Sequence, residues 1–159
     1  MRICKKPIIG RVQGKTVGGG VGLAAACDYV YATEAASIKL SEISVGIAPL
    51  VIAPAVERKI GKNGLAELAL APTEWKNAYW AKEKGLFSKV FDSIKEMDKE
   101  LEFHTEQLAS YNPEALEAMK KALWEGTEHW ESLLIKRAEQ SGTLALSSAT
   151  KTSLAKFKK

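Results

Sequence analysis

Three consecutive glycines, Gly18, Gly19 and Gly20, stand directly before an alanine-rich run, and a single acid, Glu42, follows in the stretch SEISVGIAP. Without Cβ atoms the glycine backbone can approach a ligand closely. The unpaired amides at a helix N-terminus lie at the positive end of its dipole, so they can hold an anion, including an oxyanion that exists only during a reaction. A tight turn would use the same three residues equally well. Glu42 is expected at the end of a strand, close to an apolar segment, where partial burial would raise its pKa toward the range in which a carboxyl group both takes and returns a proton. The competing role is an ordinary one, a helix cap or a surface ion pair. Neither G-x-G-x-x-G with a ribose-binding acid nor G-x-x-x-x-G-K-[ST] occurs, which sets aside the two common phosphate-cradling fingerprints.

The other reactive side chains are scattered. Cys4 and Cys27 lie in different segments without metal-ligand spacing, so free thiols are expected and a metal site is not. His104 and His129 are isolated on helical patterns with no nucleophile at a useful spacing, which points to packing or surface roles. Trp75, Trp80, Trp124 and Trp130 follow helical packing positions, better suited to core or oligomer contacts than to a stacking platform for bases. The net charge of +4 is unevenly placed, because Arg2, Lys5, Lys6, Arg11 and Lys15 precede any acid and Lys151, Lys156, Lys158 and Lys159 close the chain. Such clusters are either solvated surface or phosphate holders. No recognition motif accompanies them, so nucleic-acid binding is not expected.

Length and patterning limit what can position these groups. With 159 residues, 46% hydrophobic and 26% charged, the chain has the composition of an ordinary soluble domain. No apolar run approaches the roughly 20 residues needed to cross a bilayer, and MRICKKPIIG lacks the apolar core of a secretory signal. A cytoplasmic location without membrane contact is the default expectation. The first part, residues 1–61, reads as α/β: a strand at 7–12, a glycine-rich turn, a helix ended by Asp28, strands at 29–33 and 37–41, and a helix start within 51–60. The second part, residues 62–159, reads as mainly helical, with helices at about 62–71, 73–84, 93–110, 113–124, 128–146 and 149–158 and a strand at 86–91. Asn112 followed by Pro113 is a helix start, and Gly85 and Gly126 are helix stops. No linker separates the parts, so they are expected to pack as one unit.

The run over residues 6–61, with GGGVGLAAACD, then SEISVGIAP and ERKIG, resembles the enoyl-CoA hydratase/isomerase (crotonase) family in order and spacing. The matching positions are Gly18, Gly19, Gly20, Leu23, Ala24, Cys27, Asp28, Glu42, Gly46 and Pro49. The later helices, including NPEALEAMKKAL and the basic tail, are similar to the family's trimer-forming and tail helices. The resemblance implies an α/β fold, the ββα spiral of the crotonase type in shortened form, followed by a helical region for oligomerisation and a tail at the coenzyme A site. It further implies an acyl-CoA thioester as substrate, with coenzyme A part of that substrate and no separate cofactor, and a homo-oligomer, either a trimer or a dimer of trimers.

Carried over by position, Gly19 would offer its backbone N–H to the thioester oxygen as an enolate forms, and Glu42 would move a proton at a carbon of the acyl chain. Gly18, Gly20, Gly22, Pro49, Leu50, Lys156 and Phe157 would border the substrate. Gly22 stands where the family's hydratases carry the first of two glutamates that hold a water, whereas its isomerases work with one proton-shuttling acid. Leu50 stands where many members have glycine, which implies a bulkier pocket. Family chains also extend further at the N-terminus, and that part supplies a second oxyanion amide and much of the coenzyme A site. The expected chemistry is hydration or dehydration of an enoyl-CoA, or migration of its double bond. The alternative is a catalytically silent module that binds coenzyme A or forms oligomers.

Overall fold

Two short strands, a helix and two more short strands form the first unit, and the strand pairing explains why it closes. The computed structural model describes residues 1–156. Strands β1 (Ile9–Val12) and β2 (Lys15–Val17) are followed by helix α1 (Gly19–Ala26), then by β3 (Tyr29–Thr33) and β4 (Ser37–Lys39). β1 pairs with β3 and β2 with β4, both parallel, with Ile9 opposite Tyr29 and Lys15 opposite Ser37. Parallel neighbours need a crossover rather than a hairpin, and α1 supplies it for both pairs at once. The remaining strands, β5 (Lys76–Asn77) and β6 (Lys89–Phe91), complete two three-stranded sheets, ordered β1-β3-β6 and β2-β4-β5. β6 runs parallel to β3, and β5 runs antiparallel to β4.

The helices after α1 are α2 (Ala53–Ala69), α3 (Ala78–Glu83), α4 (Ile94–Ser110), α5 (Pro113–Leu123), α6 (Trp130–Leu146) and α7 (Ser148–Ala155). Asn112 caps α5 as expected, its Oδ1 accepting from the Glu114 amide at 2.8 Å, with Pro113 at the first helical position. Gly85 and Gly126, just past α3 and α5, have positive φ and end those helices as expected. The core is one cluster drawn from both parts of the chain, including Val21, Val30, Ile38, Val56, Leu86, Phe87, Trp124 and Trp130. Among the described residues no helix is long and apolar enough to cross a membrane.

Several local expectations are corrected. The glycine-rich turn contains β2, because Thr16 and Val17 are β-branched and find a parallel partner in β4. Residues 73–84 are not one helix: Lys76 and Asn77 add to the edge of β4, and Asn77 then caps the short α3 by accepting from the Trp80 amide at 2.8 Å. The helices expected within 51–60 and over 62–71 are one run, α2, interrupted at Gly61, whose φ of 69° and ψ of 170° break the helical path. β4 ends at Lys39, so Glu42 does not close a strand; it opens a 3-10 turn, Glu42–Val45. The strand expected over 86–91 is confined to β6, while Leu86 and Phe87 are core residues whose amides donate to the Ala81 carbonyl.

Candidate functional site

The start of α1 is fixed by backbone bonds that leave part of it open. The Gly18 N–H donates to the Lys39 carbonyl at 3.0 Å, tying the helix start to the end of β4. Gly18 sits at φ 54° and ψ −118°, a conformation that L side chains rarely adopt. Its carbonyl accepts from the Val21 and Gly22 amides at 2.9 and 3.2 Å. The Gly19 and Gly20 amides, the first two of the helix, find no acceptor among the described residues. Gly19 is exposed and has open space where a Cβ would be.

Glu42, just past the end of β4, reaches the same helix start. Its turn is closed by the Gly46 N–H donating to Ile43 O and the Ile47 N–H donating to Glu42 O, each at 3.0 Å, with Gly46 left-handed at φ 84°. The carboxylate lies against Gly18: a Cβ built there would stand 3.0 Å from Glu42 Oε1 and 3.5 Å from its Cδ. A side chain at position 18 would thus press on the carboxylate as well as strain the backbone at positive φ. Glu42 Oε2 is buried and has no hydrogen-bond partner among the described residues. Burial pushes the Glu42 carboxyl above its ordinary value, and the group's own backbone amide, which pulls the other way, is the smaller influence. A carboxyl group with one oxygen unpartnered among the described residues, held in a partly dry place beside free amides, is suited to proton transfer next to a developing negative charge.

A groove of about 470 Å³ runs past the exposed side of α1, lined by Gly19, Gly22, Leu23, Val51, Ile52 and Trp130 among others. Its walls are mainly apolar, as a hydrocarbon chain would require. Glu42 does not line it; the carboxylate meets the helix start at Gly18, one residue from Gly19, which does. Ile52 fills the space beside Gly22, where a Cβ would lie 2.6 Å from the Ile52 Cβ and nearer still to its Cγ2. No second carboxylate can therefore project from position 22 without displacing Ile52.

The other residues singled out from the sequence have simpler surroundings. Gly20 packs on β2, a Cβ there meeting Thr16 Cγ2 at 3.0 Å. The Pro49 carbonyl accepts from the Ala53 amide at 3.0 Å, and the Leu50 carbonyl accepts from Arg137 Nη1 at 3.2 Å. It is their successors, Val51 and Ile52, that face the groove. Lys156 is exposed at the end of α7, and Phe157 lies outside the described residues. His104 is engaged with Tyr31 OH at 2.7 Å, and His129 is exposed. Among the described residues no group of three His, Cys, Asp or Glu side chains could hold a metal ion. Sequence reasoning missed Ile52 and Trp130, which read as ordinary core residues. It also missed Thr150, which is bonded to Gly46 from 104 positions away and carries no sequence signal.

Comparison with known proteins places the chain in a family. The family model of enoyl-CoA hydratase/isomerase matches residues 1–158. The chain is 33% identical over 126 residues to the peroxisomal Delta(3,5)-Delta(2,4)-dienoyl-CoA isomerase of Arabidopsis thaliana, covering 79% of this chain and 45% of that protein. It is 36% identical over 124 residues to the 2,3-dehydroadipyl-CoA hydratase of Escherichia coli K12, covering 77% of this chain and 48% of that protein. The chain thus spans about half the length of these curated relatives. Among solved structures, an enoyl-CoA hydratase/isomerase from Pseudoalteromonas atlantica T6c superposes with a TM-score of 0.89 at 26% identity, over 98% of this chain and 63% of that one. The α/β arrangement is therefore crotonase-like, as the motifs implied. With nearly its whole length matched, the chain belongs to the enoyl-CoA hydratase/isomerase family.

Proposed function

We propose that this chain carries the proton-transfer site of an acyl-CoA enzyme that moves a carbon–carbon double bond, with Glu42 as the acid-base group and the Gly19 amide as an oxyanion donor. The observation that carries the reading is the Glu42 carboxylate, half-buried and unpartnered at Oε2, pressed against Gly18 at the start of α1. With the thioester oxygen on the Gly19 N–H, the adjacent C–H becomes acidic. Glu42 takes that proton, the electron pair moves into the enolate, and the amide meets the charge as it develops. Returning the proton two carbons further along restores the thioester carbonyl and leaves the double bond shifted, with no atom gained or lost. The apolar groove beside Gly19 suits the hydrocarbon part of such a substrate.

Hydration would additionally require a water held and activated at the β-carbon. The described residues offer one carboxylate for this, since Gly22 has no side chain and Ile52 occupies the adjoining space. That favours isomerisation, in line with the dienoyl-CoA isomerase relative, over the chemistry named for the dehydroadipyl-CoA hydratase. The test supplies the purified protein with a 3-enoyl-CoA and, separately, with a 2-enoyl-CoA, and follows conjugation of the thioester and loss of the double bond. Isomerisation is expected to dominate and to fall by about 10²- to 10⁴-fold in Glu42→Gln, the usual contribution of a general acid-base group. Dominant hydration would reverse the preference, and turnover indifferent to Glu42→Gln would remove the site. Tight binding of an acyl-CoA without any turnover would favour the silent, coenzyme A-binding reading instead.

A further inference from the structure

We infer that Thr150 is the positioning residue for Glu42: helix α7 holds the turn that carries the carboxylate through the Thr150 hydroxyl, 104 positions away from its acceptor at Gly46. The inference rests on the reading of Glu42 given above and names what keeps that acid in place. Among the described residues Glu42 has no ion pair and its Oε2 no partner, and the turn Glu42–Val45 has neither a side-chain cap bond nor a buried residue of its own. Its placement must come from outside the turn.

Thr150 provides the tie. It is fully buried, and its Oγ1 lies 2.8 Å from the Gly46 carbonyl and 2.8 Å from the Leu144 carbonyl. One hydroxyl proton is thus shared between Gly46, the residue that closes the Glu42 turn, and the last turn of α6. Ser147 Oγ supports it from the α6–α7 junction, donating to Thr150 Oγ1 at 3.1 Å and accepting the Thr150 N–H at 3.2 Å. The approach is close on the backbone side as well: a Cβ at Gly46 would fall 2.7 Å from Thr150 Oγ1 and 3.0 Å from Thr150 Cα. Gly46 therefore serves two ends, a left-handed turn and a seat for α7. Because the same turn accepts the Ile47 amide at the Glu42 carbonyl, a shift at Gly46 passes directly to the residue that bears the acid.

The experiment compares Thr150→Val, which keeps the shape and removes the hydroxyl, with Thr150→Ser, which keeps the hydroxyl. The carboxyl titration of Glu42 is followed by carbon NMR on protein labelled at glutamate, the signal being assigned by its loss in Glu42→Gln. In Thr150→Val the Glu42 pKa is expected to move down toward the ordinary glutamate range as the turn loosens and water enters, whereas Thr150→Ser holds it up. Turnover of whichever enoyl-CoA the protein accepts should fall in kcat on the order of 10- to 100-fold with KM little changed, as for a misplaced catalytic group, and Thr150→Ser should restore it. Should Thr150→Val fail to fold, Ser147→Ala decides, with a smaller shift of Glu42 in the same direction. A folded variant that lowers the melting temperature yet leaves the Glu42 titration where it was overturns the inference. The titration reads Glu42 whether or not the chain turns over substrate, so a failed activity assay and a failed positioning role give different results.

Discussion

Asp28 and Glu42 are both carboxylates at least partly taken out of water, and their surroundings are opposite. Asp28 Oδ2 accepts from Lys120 Nζ at 2.5 Å and from the Ile8 amide at 2.7 Å, while Oδ1 accepts from Trp124 Nε1 at 2.6 Å. Lys59 Nζ adds a bond to the Asp28 carbonyl at 2.9 Å, and the Arg58 guanidinium stacks 4.1 Å over the Trp124 ring. Burial by itself pushes the Asp28 carboxyl up, but the bonds from Lys120, Ile8 and Trp124 together outweigh it and hold the group below its ordinary value. Glu42 is given burial without those donors and is pushed the other way. Burial is thus shared by the structural acid and the acid proposed to react. The number of donors separates them: a fully bonded carboxylate locks β1, α1 and α5 together, and the other keeps one oxygen unpartnered among the described residues, as the proposed proton transfer requires.

The contrast is broken most severely by removing the bonded acid. Asp28→Ala would leave the Lys120 ammonium, whose side chain is only 2% exposed, without a counter-ion. Breaking a buried pair from one side costs about 3–5 kcal/mol, and that loss is the expected result in urea unfolding. A loss within the ~0.5 kcal/mol typical of surface changes would show that Asp28 is no keystone. The next largest effect is expected at Gly18. Gly18→Ala must place a side chain at φ 54° and within 3.0 Å of Glu42 Oε1, so a cost of about 1–3 kcal/mol is expected, with the carboxylate displaced. Gly14→Ala, where nothing lies within 4 Å of the new Cβ, is the control and should change melting little. Equal melting temperatures for the two variants would mean that the close seat of Glu42 on Gly18 is not maintained in solution.

How much of this contrast could be read in advance depends on how locally each feature is encoded. The triple glycine and Glu42 lie within one short stretch and stand out by residue type. Helix α5 was legible because it carries its own cap, Asn112 Oδ1 accepting from the Glu114 amide; α4 has the same device in Ser93 Oγ, which accepts from the Glu96 amide but was not singled out in the sequence. Asp28 read only as a helix end, since Lys120 and Trp124 are 92 and 96 positions away and nothing local announces them. Ile52 looked like any apolar residue, and its closeness to Gly22 depends on how α2 crosses α1. The two-residue strand β5 is too short for alternation to show, so the apolar spacing around Trp75 and Trp80 suggested a helix in its place.

The smallest expected effect distinguishes the two acids by sign. A carboxyl group whose folded pKa is raised adds stability below its unfolded pKa, and that stability is lost as pH rises through the folded value. For Glu42 the window begins near the ordinary value of 4.5 and extends upward. A carboxyl group whose folded pKa is lowered behaves in reverse: the stability it adds is present above the unfolded pKa and lost as pH falls through the folded one. For Asp28 the window begins near 3.8 and extends downward. The melting temperature of Glu42→Gln relative to the parent protein should therefore climb as pH rises from about 4.5 and level off once the raised folded value is passed, because the amide cannot ionise. Asp28→Asn, destabilised at neutral pH, should recover relative to the parent as the solution is made more acidic than 3.8. Two curves bending in opposite directions across adjoining windows would mean that one buried carboxylate is held ionised and the other is held ready to be protonated. If both variants bend the same way, donors do not separate the two sites, and Glu42 is only a second structural acid.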